Sequence, residues 1–440
     1  MTEKERLELA HWVIERATKL GAQEVKVSIS KSRDVEVEFR DQQLEKLKES
    51  TQNSLSMNLY VDQRYSSNST NDLRKESLTQ FIENTVAMTK YLTPDKFRSL
   101  PDPKLYENRP ESDLEIYDLR QTEIDSPKRV AIAREIEAVA HSQSKKIIST
   151  TAGYSDGISE STQVHSNGFE ASRISTYFST GAEVTIKDAD DRRPEDYYYV
   201  TTRYFDSLLS PEEIGKKAAE RALSKIGMKK ISSRKCTMLI ENRTARRFIY
   251  ALFQPLSGRA LQQKQSFLEG MLNQKIAAEV LTIIDDPFVP QGLGSRLYDH
   301  EGISAQKMMV IEKGVLKNYY IDTYYAKKLG VDPTFGSQSN IVFQLGNRNL
   351  DQMVADTKSG ILITSFIGGN TNPTTGDYSL GLQGILIEDG KLIHPVNEMN
   401  ISGNLKDALT ALVEVGTDPY PYSSVQTPSL RFEGIDFSGI

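Results

Sequence analysis

A chain of 440 residues exceeds what one ordinary hydrophobic core holds and implies two or three domains. Its 38% hydrophobic and 26% charged residues describe a soluble globular protein, and no run approaches the roughly 18 apolar residues of a membrane span. A formal net charge of −6 without a dense Lys/Arg stripe argues against a broad nucleic-acid surface, and a single cysteine, Cys236, excludes an internal disulfide framework and suits a reducing cytoplasm.

The opening Met-Thr-Glu-Lys-Glu-Arg has no apolar region of the secretory type, so no signal peptide is expected. Leu7, Ala10, Ile14 and Ala17 fall at helical spacing and predict a helix over Thr2 to Leu20, with Gly21 as its stop. Alternation then predicts strands at Val25 to Ile29, Val35 to Phe39 and Leu55 to Val61, the pattern of an antiparallel sheet wet on one face. A second helix is predicted from Leu73 to Tyr91. Pro94, Pro101, Pro103 and Pro110 mark a linker or extended crossover, and a third helix starts at Ser126-Pro127. Short strands follow from Ile147 to Tyr204 with a hairpin turn at Asn167-Gly168, and Asp188 to Pro194 reads as an exposed loop. Ser210-Pro211-Glu212-Glu213 is a capping box with proline in the first turn, and Gly227 supplies the stop. Beyond Met228 to Arg234 the chain turns strand-rich, with one helix around Thr244 to Leu256. The fold class is α+β: an N-terminal α+β region with antiparallel sheets and a strand-rich C-terminal domain. The expected domains are 1–110, 111–230 (packed with the first) and 231–440.

Catalytic zinc needs three protein ligands from His, Asp, Glu or Cys and an open position for water. The five histidines, His11, His141, His165, His300 and His394, lie far apart in sequence, and Cys236 sits on the apolar run Met238-Leu239-Ile240. No local ligand pair exists, and no catalytic or metal residue is assigned. Asp299-His300-Glu301, near Asp285 and Asp286, is a candidate polar cluster for metal or proton chemistry; the competing reading is a polar loop ending in Gly302. Gly368-Gly369-Asn370-Thr371, with Asp377, is rich in turn formers, and paired glycines let another backbone approach as in peptide capture beside a strand; the competing reading is a connecting loop. Ser257-Gly258 and Ser266 lack a nucleophile elbow. Tyr197-Tyr198-Tyr199 reads as a strand with one buried face, or as a stacking platform.

The order of motifs from Ile283 onward resembles a known family. Ile283-Ile284-Asp285-Asp286-Pro287, Asp299-His300-Glu301-Gly302 and Val310-Ile311-Glu312-Lys313-Gly314-Val315-Leu316 are followed by Phe366-Ile367-Gly368-Gly369-Asn370 and Thr375-Gly376-Asp377-Tyr378-Ser379. This is similar to the C-terminal domain of the TldD/PmbA family, once called modulators of DNA gyrase and now regarded as zinc-dependent peptidases. The resemblance is dense from about Lys235 to Gly439. In the TldD branch a helix upstream carries His-Glu-x-x-x-His, and a cysteine near the C-terminus completes the site. Here the matching stretches are Ala251-Leu252-Phe253-Gln254-Pro255-Leu256-Ser257-Gly258 and Asp418-Pro419-Tyr420-Pro421-Tyr422-Ser423-Ser424. Neither carries the ligands, which places the chain with the TldE/PmbA-like branch.

The resemblance implies a non-catalytic subunit of a cytoplasmic zinc metallopeptidase, pairing with a TldD-like chain that brings the zinc, and shaping a cleft for unfolded peptides. It implies no cofactor in this chain, and self-association when the partner is missing. The alternatives are an independent hydrolase with a relocated site and a regulatory protein that binds DNA gyrase.

Overall fold

The computed structural model describes all 440 residues. Helix α1 (Glu3–Lys19) begins at a capping box in which Thr2 Oγ1 accepts from the Glu5 N–H and the Thr2 N–H donates to Glu5. Strands β1 (Glu24–Arg40), β2 (Gln43–Val61) and β3 (Arg64–Thr70) follow, then α2 (Lys75–Thr89) and α3 (Ser126–Ser142). The residues between these two helices are mostly irregular, with a 3₁₀ turn at Pro103–Tyr106. After α3 come β4 (Ile147–His165), β5 (Glu170–Ile186), β6 (Glu195–Thr202) and α4 (Pro211–Leu223).

The six strands form one antiparallel sheet in the order β3-β2-β1-β4-β5-β6. Lys26 to Arg40 of β1 pairs with His165 to Thr151 of β4, so the segments 1–110 and 111–230 share a ladder. Val25 to Ile29 and Val35 to Phe39, expected as two strands, are the ends of one. Its buried positions keep a single parity, Val25, Val27 and Ile29 under α1 and α2, then Val37 and Phe39 under α3. The polar middle, Ser30 to Asp34, lies between the two helix pairs and is only half-buried, which is why the alternation reads as broken. The strands from Ile147 are likewise long, 19 and 17 residues, around the expected turn at Asn167-Gly168. On the outer edge β3 covers only Leu55 to Val61 of β2, leaving Gln43 to Ser54 unpaired on that side.

The second unit opens with β7 (Arg234–Ile240), α5 (Asn242–Tyr250) and α6 (Gly258–Gln262), then β8 (Ile283–Asp285), β9 (Met308–Glu312) and β10 (Val315–Leu316). It continues through α7 (Thr323–Leu329), β11 (Ile341–Phe343), α8 (Leu350–Ala355), β12 (Ser359–Thr371), β13 (Asp377–Glu388) and β14 (Lys391–Asn404), and ends with α9 (Leu405–Thr410), β15 (Leu412–Val415) and β16 (Leu430–Ser438). β14-β13-β12-β7-β16 closes on itself through a β14–β16 pairing, with β15 outside, and β10-β9-β8-β11 makes a small companion sheet. The largest core, 48 buried residues, joins the two sheets. α5 stops at Tyr250, short of the expected Leu256. Pro255 cannot donate to the Ala251 carbonyl and its ring crowds that turn, so 251–256 packs as tight turns instead.

The helix-free face of the first sheet meets the second unit. Arg173 donates to the Ser295 carbonyl (3.0 Å), Arg203 to that of Leu293 (2.6 Å), and Lys26 to that of His300. No helix is long and apolar enough to cross a membrane.

Candidate functional site

The strand β12 leaves its parallel neighbour β7 early, because the two pair only from Gly360 to Ile363. From Thr364 to Thr371 it remains paired with β13 on one side, and on the other it faces α5. That helix is amphipathic: Thr244, Ala245, Phe248 and Ile249 are buried, while Arg246, Arg247 and Tyr250 are exposed. Thr244 Oγ1 and Arg221 donate to the Thr364 carbonyl (2.8 and 3.0 Å), and Arg247 donates to that of Phe366 (2.9 Å). Side chains thus cap the near half of an open strand edge, and the far half, Gly368 to Thr371, meets no strand there.

Two adjoining hollows follow this edge. One of about 340 Å³ is lined by Gly369, Asn370, Thr371 and Pro373 of the hairpin, and by Arg247, Tyr250 and Gln254 opposite. The second, about 350 Å³, lies between Thr364 to Phe366, the α5 arginines, Tyr197 and Tyr199 of β6, and Tyr420 and Tyr422. Among the glycine-rich candidates, Gly369, Asn370 and Thr371 therefore line a groove, and Gly368 to Thr371 are strand rather than loop. Gly369 needs its glycine: φ is +100° and a Cβ would stand 2.0 Å from the Ser379 carbonyl oxygen. Asp377 has a different place. Its carboxylate accepts from Thr375 Oγ1 (2.7 Å) and Asn404 Nδ2 (3.1 Å), which pin the hairpin turn and hold its pKa below the usual range.

The stretch Ala251 to Gly258 runs beside the first hollow. Leu252, Phe253 and Leu256 are buried in the core and Gln254 lines the groove. These side chains hold no metal donor, and at the second stretch Ser423 Oγ accepts from Arg246 (3.3 Å). No group of three or more His, Cys, Asp or Glu is placed to hold a metal ion. The donor set does not fit zinc here. Cys236 is buried in β7, and burial pushes its thiol up to about 11.

Asp299, His300 and Glu301 do come together with other groups, though not with each other as ligands. They sit where the second unit meets β1 and β4, beside a pocket of about 120 Å³ lined by Lys26, His165, Arg98 and Tyr324 among others. Glu301 accepts from the Thr323 N–H (2.8 Å) and hydroxyl (3.0 Å) at the start of α7. Burial, with Asp299 and Asp322 close by, raises its carboxyl to about 7 against those bonds. Burial also lowers Lys26 and His300, and takes His165 down to about 3. Asp299 accepts from the N–H groups of Glu301 (2.8 Å) and Ile303 (3.0 Å) and shapes the turn. Arg98 lies between Tyr324 (3.5 Å) and Tyr65 (4.6 Å), bridging the units.

The sequence reading missed Arg246, Arg247 and Tyr250. Their signal was the run of polar residues at helical spacing just ahead of the ligand-free stretch. It also missed Lys26 and His165, which only the β1–β4 register brings opposite His300. Tyr197 and Tyr199 are exposed on a strand whose Tyr198 packs inward, so the expected one-sided burial and an outward aromatic face coexist.

A helix-backed antiparallel sheet, a closed mixed barrel and a strand-edge groove at their junction define a two-unit α+β protein. Models of the three domains of the PmbA/TldA metallopeptidases match residues 25–89, 120–226 and 233–439. The chain belongs to this family, the TldD/PmbA metallopeptidases. It is 29% identical to the metalloprotease PmbA homologue of Haemophilus influenzae, over 99% of this chain and 97% of that one. Metalloprotease PmbA of Escherichia coli O157:H7 is 27% identical over 94% and 92%. A crystal structure from Bacteroides thetaiotaomicron, provisionally described as a modulator of DNA gyrase, superposes with a TM-score of 0.97 at 42% identity and covers 99% of both chains. TldE of Thermococcus kodakarensis shares the fold, with a TM-score of 0.87 at 22% identity over 98% and 100%. At the level of the family, the role is of the peptidase type.

Proposed function

We propose that this chain is the non-catalytic subunit of a two-chain zinc peptidase, contributing one wall of the cleft that holds unfolded peptides. One observation carries the reading. The segment that the resemblance sets against the zinc-bearing helix is packed into the core at Leu252, Phe253 and Leu256, while the groove beside it stays open along the far half of β12. A strand edge binds an extended peptide through main-chain hydrogen bonds and needs no chemistry of its own. In this reading zinc and the catalytic base belong to a TldD-like partner in the cytoplasm, and the chain pairs with itself when that partner is missing.

The test is peptide cleavage and zinc content, measured for the pure chain and for its mixture with the TldD-like protein of the same genome. The expected result is no cleavage by this chain alone and a rise in the partner's cleavage on mixing. Stoichiometric zinc with chelator-sensitive cleavage by the chain alone would overturn the reading in favour of an independent hydrolase. The description of the Bacteroides structure raises DNA gyrase as a rival partner, and capture of gyrase without capture of the TldD-like protein would favour that role.

A further inference from the structure

The groove beside β12 is locally positive on a chain whose formal net charge is −6. Neither hollow has an Asp or Glu in its lining. Beneath it, two carboxylates, Asp196 and Glu241, are shared by three cations: Arg221, Lys225 and Arg243. Above it, Arg246 and Arg247 form no ion pair; each makes only a bond to a neutral oxygen, Ser423 Oγ and the Phe366 carbonyl. Two exposed guanidiniums on consecutive residues point their remaining donors into solvent along an open strand edge. Tyr197 and Tyr199 add an aromatic wall, their rings tilted 49° to each other, and Arg243 stacks over the first at 4.6 Å.

We infer that the groove selects extended peptides carrying acidic side chains, with Arg246 and Arg247 reading the carboxylates. This rests on the peptide-cleft reading and names its substrate class. Guanidinium forks match carboxylates in two-point geometry, and the unpaired charge is available without breaking an existing salt bridge. The free edge from Gly368 to Thr371 pairs with about four residues of extended chain, roughly 13 Å at ~3.3 Å each, and the hollow lined by Arg246 and Arg247 continues past the capped Thr364 and Phe366 carbonyls. Successive side chains of such a ligand alternate sides, so alternate residues face α5. A single-stranded nucleic acid also offers negative charge and stackable rings. It makes poor use of a strand edge, and two free arginines form no track for a backbone of phosphates.

The experiment measures binding of three fluorescent unstructured octapeptides that differ only in Glu, Gln or Lys at alternate positions. An oligonucleotide of equal length is the fourth probe. Each is titrated into the chain alone and into its mixture with the TldD-like protein, at low and high salt, and the mixture's cleavage of the Gln peptide is recorded. The Glu peptide is expected to bind about ten-fold tighter than the Gln peptide per engaged carboxylate, the worth of one charge-assisted hydrogen bond, with the margin shrinking in high salt. Arg246→Glu with Arg247→Glu should cancel that preference and favour the Lys peptide, while unchanged circular dichroism melting shows the fold intact. Equal binding of the Glu and Gln peptides together with stimulated cleavage overturns the acidic preference and leaves the subunit reading standing. Absence of peptide binding and of stimulation overturns both, and tighter binding of the oligonucleotide than of any peptide assigns the groove to nucleic acid instead.

Discussion

Glu301 shows what a single side chain contributes at the junction of the two units. The unfolded chain releases its proton near pH ~4.3, and the folded chain only near about 7. Between those values the native state holds the extra proton, so stability falls as pH rises through the window and stays lower above it. Below pH ~4.3 both states are protonated and the penalty disappears. The shift corresponds to at most about 4 kcal/mol. Glu301→Gln keeps an oxygen for the Thr323 donors and removes the charge. Its melting temperature should therefore exceed the parent's at pH 8 and converge with it near pH 4; an offset that is the same at every pH would sink the argument. His165 acts at the acid end with the opposite slope, because a neutral buried imidazole loses stability as pH falls below its ordinary range. None of this was legible in Asp299-His300-Glu301 alone. A sequence displays charges in a row, while the perturbation of Glu301 comes first from burial at the junction of the units and then from Asp299 and Asp322 beside it. The glycines were more legible, because a backbone held at φ +100° with the neighbouring strand's Ser379 carbonyl oxygen 2.0 Å from its missing Cβ excludes other residues outright, and Gly-Gly announces such constraints.

At the scale of elements, helix starts were read well and strand lengths poorly. Ser210-Pro211-Glu212-Glu213 declares its function locally: the Ser210 hydroxyl accepts from Glu213 N–H (3.2 Å) and Glu213 returns a bond to the Ser210 N–H (3.0 Å). Strand β1 could not be read as one piece, because its middle is polar wherever no helix covers it. The cleft helix was overextended for a comparable reason: Leu252, Phe253 and Leu256 keep a helix-like spacing, and the tertiary core rather than a helical stripe uses it. Packing of α3 on the sheet carries the sharpest energetic consequence. Arg129 donates to Asp156 from Nε (2.6 Å) and Nη2 (3.1 Å), Gln121 adds a third bond (2.8 Å), and both charges are fully enclosed. Removing one partner strands a buried charge, so Asp156→Ala should cost about 3–5 kcal/mol, read as a lower urea midpoint. An apolar pair, Arg129→Met with Asp156→Leu, should recover most of that loss. If the single and double variants unfold together, the pair is not what holds α3 down.

Seen whole, the molecule is two units joined by ion pairs such as Arg221–Glu241 and by cations that reach neutral oxygens. Arg173 and Arg203 bond to carbonyls of the second unit, and burial draws the Arg203 guanidinium down to about 10. The unit boundary near Met228 to Arg234 is therefore an edge in sequence more than a joint in space, with no apolar signature to announce the contact. The family frame was legible because its turns and glycines are fixed by backbone geometry; the groove's charge was not, because its arginines acquire meaning only beside an open edge. One further edge has a consequence for the molecule in a crowd of its own kind. Gln43 to Ser54 of β2 runs unpaired along the rim of the first sheet and exposes Leu44 and Leu47 between Glu45, Lys46, Lys48 and Glu49. Such a rim is a template on which another chain's strand can add. The charges act as gatekeepers that keep copies apart, since each added strand would bring like charges into register. Lys46→Val with Lys48→Val should leave the melting temperature nearly unchanged and produce time-dependent light scattering with thioflavin binding at concentrations where the parent stays clear. A variant that remains clear would mean that the rim's twist, not its lysines, is what prevents fibril growth.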